Sequence, residues 1–263
     1  MIPVAALVTL SLGLLVPHEP RPTPSAIPPE ILRRHDRPDS LYVALGCGWR
    51  SLAHLNLPTP QGAGDGEGTL IAPRWVLTAA HVAAEVSPGH PVTVGGADHV
   101  IDSIVLHPDW NDGPHDLALV RLATPVEDVR PARLYRESDE LDRVVVMVGW
   151  GDFGTGVTGP EGNDLRVRGA TNRVDEASDL WLKLRFDPPD HPRTTELEGV
   201  SGPGDSGGPA YLEGAAEETL MGVGSGSSTR GAAGPGQYGV VEYYVRVSRY
   251  LDWIEGITGG VVR

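Results

Sequence analysis

The sequence predicts an antiparallel all-β fold that is divided into two barrels. The chain of 263 residues holds 34 Gly and 24 Pro, which supply turns for many short strands. After residue 30, short apolar stretches alternate with clusters of Gly, Pro, Asp and Asn, and no helical period separates them. A charged stretch over residues 123–143 splits the strands into two groups, so we place the boundary between the barrels there.

Eight segments have the short apolar pattern of strands. They are residues 69–71, 75–77, 99–106, 117–122, 144–148, 180–186, 220–223 and 239–247. These segments predict a first barrel over about 31–126 and a second barrel over about 143–246.

A single helix is predicted, at the end of the chain. Its apolar residues repeat at helical spacing and are Val247, Tyr250, Leu251 and Ile254. Ser248 is a suitable N-cap and Gly256 a suitable stop, which predicts a short helix over about 248–256. We expect this helix to pack against the barrels and to have no further role.

The first 30 residues differ in kind from the rest. Residues 2–16 form an uncharged apolar run, shorter than the roughly 20 residues that a membrane span needs. This run fits the hydrophobic region of a secretory signal, although no basic residue precedes it. Six prolines over residues 17–29 indicate a spacer. We therefore expect a signal-like segment and a proline-rich spacer over 1–30, a folded domain over 31–263, and a secreted or periplasmic protein; an uncleaved membrane anchor is the minority alternative.

Charge and cysteine content exclude several classes of function. The net charge of -14 repels phosphate backbones and argues against a nucleic-acid partner. The single cysteine, Cys47, allows no intramolecular disulfide and is interpreted as inert. We expect no cofactor and no metal site, because the histidines outside the motif below lack paired ligand spacing. They include His54, His90, His99, His107, His115 and His191.

Three segments carry the residue types of an acyl-transfer site. His81 ends the run GTLIAPRWVLTAAH, Asp116 lies in HDLALVRL, and Ser206 lies in GDSGGP. A serine hydroxyl needs a neighbouring base to act as a nucleophile, and a histidine oriented by a carboxylate supplies one. The glycines around Ser206 let backbone N–H groups converge on a developing oxyanion.

Together these segments resemble the trypsin/chymotrypsin family of serine proteases. The chain order His, Asp, Ser matches that family, and residues 148–151 (VGWG) and 244–254 resemble further parts of it. The resemblance covers about residues 66–256. It implies a chymotrypsin-like fold of two packed, six-stranded antiparallel barrels with a short C-terminal helix. It also implies a serine endopeptidase that forms an acyl-enzyme.

The resemblance assigns a role to each residue of the motif. His81 is the general base and then the general acid, Asp116 orients it, and Ser206 attacks the scissile carbonyl. The N–H groups of Gly204 and Ser206 form the oxyanion hole. The positions that would line the substrate site are Val200, Ser225, Ser227 and Glu242. In the family, the residue at Asp205 pairs with an α-ammonium released by activation, and Ile31 is the candidate for that new terminus.

The chain departs from the family in two ways. Val82 and Gly202 stand where most members have cysteines, so the resemblance is to a disulfide-free, bacterial-type member of the family. Apolar Val200 stands at the floor of the primary specificity pocket, which argues against ordinary Arg/Lys specificity. Glu242 stands where a small residue is usual, and its carboxylate either meets a basic P1 side chain or pairs with a nearby arginine.

The resemblance also implies the partners. They are protein or peptide substrates and, as a further partner, a protease inhibitor. We expect a monomer with no nucleic-acid partner and no stable membrane association. Two alternatives stay open: a catalytically silent homologue that binds a partner through the same groove, and an esterase that uses the same triad.

Overall fold

The computed structural model describes residues 31–59, 62–64 and 66–262. The signal-like segment and spacer predicted over 1–30 lie outside these residues. The strands up to the middle of the chain are β1 (Leu32–Arg33), β2 (Leu52–His54), β3 (Leu57–Thr59), β4 (Gly62–Gly64), β5 (Glu67–Ala72), β6 (Trp75–Thr78), β7 (Pro91–Val94), β8 (Ala97–Leu106), β9 (Ala118–Leu122) and β10 (Arg133–Leu134). The strands that follow are β11 (Val144–Gly149), β12 (Phe153–Thr155), β13 (Gly159–Gly162), β14 (Arg168–Ala177), β15 (Trp181–Arg185), β16 (Gly199–Val200), β17 (Pro209–Leu212), β18 (Thr219–Ser228) and β19 (Val241–Arg246). The helices are α1 (Asp39–Gly46), α2 (Ala80–Ala83) and α3 (Leu251–Thr258).

Six strands of the first half close into an antiparallel barrel in the order β2-β5-β6-β9-β8-β7. Strand β5 is buried along its whole length, and β6 and β9 are buried at nearly every position. These three neighbouring strands are therefore covered along nearly their whole length. Thr78 pairs with Ala118, so the end of β6 lies beside the start of β9.

Six strands of the second half close in the same way. The order β18-β17-β11-β14-β15-β19 returns to β18 through the pairing of β18 with β19. Strand β10 adds to the outside of this ring, parallel to β18. The predicted pair of six-stranded antiparallel barrels is confirmed.

Strand β1 and helix α1, which come before β2, lie beside the second half of the chain. Strand β1 belongs to a separate four-stranded sheet with the order β13-β12-β1-β16. Leu32 of β1 pairs with Gly154 of β12 and with Val200 of β16. Helix α1, which the sequence did not predict, lies beside β14. Its first residue, Asp39, accepts hydrogen bonds from the guanidinium of buried Arg168 at 2.8 and 3.0 Å. Only Tyr42 and Gly46 of this helix are buried, so its apolar face is narrow, which explains why hydrophobic spacing gave no sign of it.

The predicted C-terminal helix is confirmed, but its predicted end was wrong. A 3₁₀ turn, Val247–Arg249, leads into α3, and Ser248 lies in that turn, where its hydroxyl donates to Glu140. Gly256 lies inside the helix. The helix ends at Gly259, whose φ of 71° is the left-handed conformation typical of a helix C-terminus. Among the described residues, no helix is long and apolar enough to cross a membrane.

Candidate active site

His81 and Asp116 meet where β6 ends and its antiparallel neighbour β9 begins. One-turn helix α2 follows β6 and carries His81, and Asp116 lies two residues before β9. The backbone N–H of His81 donates to Oδ1 of Asp116 at 2.9 Å, and its Nδ1 lies 2.7 Å from Oδ2. Because Asp116 holds Nδ1, Nε2 is left as the basic nitrogen of the ring.

A third hydrogen bond to Asp116 comes from the second barrel. The hydroxyl of Ser225, in β18, donates to Oδ2 at 2.6 Å. Burial of Asp116 opposes its ionisation, but the hydrogen bonds from His81 and Ser225 outweigh burial and hold the pKa of Asp116 below its usual value. The carboxylate is therefore charged at neutral pH, although none of its surface is exposed.

Ser206 lies on the turn between β16 and β17, pressed against the first barrel. Its carbonyl accepts the N–H of Glu67 at 2.8 Å, and the next N–H, of Gly207, donates to Gly224 at 2.9 Å. A Cβ at Gly207 would lie 2.3 Å from the hydroxyl of Thr78. The turn thus reaches the segment that carries His81 on one side and the strand that carries Ser225 on the other.

The backbone around Ser206 has conformations that need glycine. Gly204 has a φ of 102° and Gly207 a φ of 81°. The N–H groups of Gly204 and Ser206 donate no hydrogen bond to any described residue. Both donors are therefore unengaged within the described part of the chain, as the predicted oxyanion hole requires.

Two buried carboxylates support this turn from behind. Asp205, 2% exposed, accepts the N–H of Gly151 and the N–H of Gly202, each at 2.9 Å. Glu67, with no exposed surface, accepts the N–H of Trp150 at 2.6 Å. The sequence analysis identified Asp205 but missed Glu67. No local pattern marks Glu67, because its partner Trp150 is distant in the sequence.

Ile31, the predicted new terminus, is the first described residue and is 1% exposed. It packs in the core of the second barrel with Tyr42 and Met147. The neighbouring Leu32 has no exposed surface and contacts Val200. The start of the described chain is thus inserted behind the segment that leads to Ser206.

The two residues predicted to set specificity are both buried. Val200 has no exposed surface and is covered by Leu32 and Phe186. The carboxyl group of Glu242 accepts the N–H of Ser201 at 3.0 Å and also its hydroxyl. Its hydrogen-bond partners among the described residues are therefore Ser201 and Tyr244, and not an arginine. Burial, opposed by the Ser201 hydrogen bonds, raises the pKa of Glu242 to about 8.

Ser225 and Ser227 lie on the last part of β18. The ladder between β17 and β18 ends at Val223, whereas pairing of β18 with β19 continues to Ser228. Ser227 lies opposite Glu242 in that second ladder. Strand β17 therefore does not continue beside the Ser225–Ser228 segment. The edge of β18 that it leaves open lies next to the Ser206 turn.

This arrangement defines a class of protein. A histidine fixed by a buried carboxylate, with a serine on a glycine-rich turn where two six-stranded barrels meet, is the construction of a serine-type endopeptidase. The family model described as Trypsin matches residues 60–254. The chain belongs to the trypsin family.

Named relatives agree with this membership. The chain is 31% identical over 213 residues to a tryptase from Mus musculus, covering 71% of this chain and 76% of the tryptase. It is 30% identical over 210 residues to serine protease SP24D from Anopheles gambiae, covering 72% and 70% of the two chains. The solved structure of HL collagenase is similar in fold, with a TM-score of 0.63 and 22% identity over 80% of this chain and 94% of that one.

We predict that Gly149→Ala destabilises the protein by about 1–3 kcal/mol, the usual cost of overpacking. A Cβ at Gly149 would lie 1.9 Å from Oδ1 of Asp205 and 2.9 Å from Oε1 of Glu67. Urea unfolding measures the loss. Gly113→Ala is the matched control, because its Cβ would meet only the side chain of Asn111, at 3.5 Å. Equal stability of the two variants would contradict the close packing of Asp205 and Glu67 against Gly149.

Proposed function

We propose that this chain is a secreted endopeptidase in which Ser206, His81 and Asp116 are the catalytic triad. The observation that carries the proposal is the series of hydrogen bonds from His81 through Asp116 to Ser225. The Ser206 turn contacts the segment before His81 on one side and the strand of Ser225 on the other. Membership of the trypsin family supports it.

In the proposed reaction, Nε2 of His81 takes the proton of the Ser206 hydroxyl as Oγ attacks the scissile carbonyl carbon. The carbonyl oxygen becomes an oxyanion, which the N–H groups of Gly204 and Ser206 bind. His81 returns the proton to the departing amine, which leaves an ester on Ser206. Water, deprotonated by His81, then hydrolyses this ester and frees the enzyme. Asp116 stabilises the imidazolium at both stages.

A peptide substrate would bind as an extra strand along Ser225–Ser228. That edge of β18 is open next to the catalytic turn, so backbone hydrogen bonds would align the scissile bond with Ser206. Specificity for the P1 side chain would come from Glu242 rather than Val200. Both side chains are buried, but Val200 offers only apolar contact, whereas Glu242 carries a carboxyl group that would attract a basic P1 side chain when it is charged.

Trypsin-like proteases are typically secreted, and we propose that residues 1–30 direct export of this one to the cell exterior or the periplasm. We further propose that the enzyme acts as a monomer on protein or peptide substrates and is a target for protein protease inhibitors. The net charge of -14 is consistent with a soluble exported enzyme.

Ser206→Ala should abolish peptide hydrolysis, because the remaining triad members have no nucleophile to activate. Turnover of a mixed peptide library and labelling by a fluorophosphonate probe measure this, with Ser103→Ala as a control expected to keep both. Retained peptidase activity in Ser206→Ala would contradict the assignment. A wild-type chain that the probe does not label would favour the silent homologue, and ester turnover without peptide turnover would favour the esterase.

The preference for basic over neutral P1 residues should rise about tenfold between pH 7 and pH 9. A carboxyl group of pKa about 8 ionises over this range, and the charged form attracts a Lys or Arg side chain. Taking the ratio of kcat/KM for the two substrates removes any pH dependence that both substrates share. Glu242→Gln should make the ratio independent of pH, whereas Glu198→Gln, at another buried acid with a raised pKa, should not. A pH-independent ratio in the wild type would assign P1 preference to apolar contacts instead.

A further inference from the structure

Three side chains beside the proposed triad have no role in its reaction. His107 follows β8, Asp109 lies two residues later, and His115 immediately precedes Asp116. One ligand atom from each of His107, Asp109 and His115 lies within 4.8 Å of the others. The histidines showed no metal-ligand spacing in the sequence, because the eight-residue separation of His107 and His115 becomes a contact only when the loop folds back.

The two imidazole rings are held in place by aromatic neighbours. They stack with their centroids 5.1 Å apart and their planes 10° from parallel. The hydroxyl of Tyr250 lies 3.0 Å from Nδ1 of His115, and the ring of Trp253 lies 5.0 Å from that of His107. Outer contacts of this kind orient histidine ligands in metal sites.

The carboxylate is brought to the histidines by a tight turn. The N–H of Trp110 donates to the carbonyl of His107 at 3.0 Å, and the N–H of Asp109 lies 3.3 Å from Nδ1 of His107. His107 is buried whereas Asp109 is exposed. The group is thus closed on its inner side and open to ions from solvent.

The backbone of His115 is strained. Its φ of 66° lies in the left-handed region, which a histidine adopts at a cost of roughly 1 kcal/mol. Its carbonyl accepts the N–H of Leu117 at 2.7 Å, so His115 and Leu117 enclose Asp116 in a tight turn. A ligand bound to His115 would therefore lie next to the residue that orients His81.

We propose that His107, Asp109 and His115 bind a divalent cation of the zinc type, and that the bound cation slows the chemistry at the triad. Two imidazoles and a carboxylate suit Zn²⁺, Co²⁺, Ni²⁺ or Cu²⁺, whereas Ca²⁺ and Mg²⁺ prefer sites made of oxygen atoms alone. The second half of the proposal rests on the proposed function. A positive charge beside Asp116 opposes formation of the His81 imidazolium in the transition state.

Zn²⁺ titrated into the metal-free full chain tests the site by calorimetry, independently of activity. We expect one site with micromolar affinity, weakened at least tenfold in Asp109→Asn and in His115→Asn. Asp109 is exposed, so its variant tests the site even if a histidine variant fails to fold. His99→Asn, at a histidine in β8 outside the group, should bind as the wild type does. Unchanged binding in Asp109→Asn and His115→Asn, or no binding to the wild type, would overturn the site.

Peptide turnover with and without Zn²⁺ tests the consequence. We expect saturating Zn²⁺ to lower kcat roughly tenfold in the wild type and in His99→Asn. The same Zn²⁺ concentration should have much less effect on each Asp109→Asn or His115→Asn enzyme relative to its own metal-free rate. Binding without inhibition would overturn the coupling to the triad, and a wild-type chain without peptidase activity would overturn the proposed function while the calorimetry still decides the site.

Discussion

The buried carboxylate of Asp116 is the group on which the rest of the structure depends. Both of its oxygens accept hydrogen bonds, two from His81 of the first barrel and one from Ser225 of the second. A charge with no exposed surface is stable only when such donors surround it. The two barrels must therefore pack in one relative position, and that position also brings the Ser206 turn against the end of β6.

The same principle governs the back of the Ser206 turn. Asp205 and Glu67 are buried close together, and each accepts backbone N–H groups from the loop after β11. Glycines at 149, 151 and 208 let the backbone come close enough to supply these donors, since a Cβ at any of them would clash with one of the acids. The chain has a single cysteine, so no disulfide within it holds this region. Val82 follows His81 directly, and one of its methyl groups packs against Gly66.

The features visible in the sequence are those set by local patterns. Apolar runs located β5, β6, β9 and β11, and the glycine-rich run located the Ser206 turn. Strand β14 was missed because buried Arg168 and Asn172 interrupt its apolar pattern, and partners distant in sequence, such as Asp39 for Arg168, satisfy them. Contacts that depend on the folded chain could not be foreseen: Glu67 behind the turn, Ser201 on Glu242, and the pairing of His107 with His115.

The charged carboxylate of Asp116 fixes the tautomer and the orientation of the His81 ring. Asp116→Asn tests this most directly, because the side chain keeps its size. Both oxygens of Asp116 accept hydrogen bonds, so in either orientation the amide NH₂ group of asparagine would face another donor. With the fold verified by circular dichroism, kcat for a peptide substrate should fall about 10⁴-fold, the loss seen when a triad histidine is held in the wrong tautomer. A kcat within about tenfold of the wild type would contradict the account.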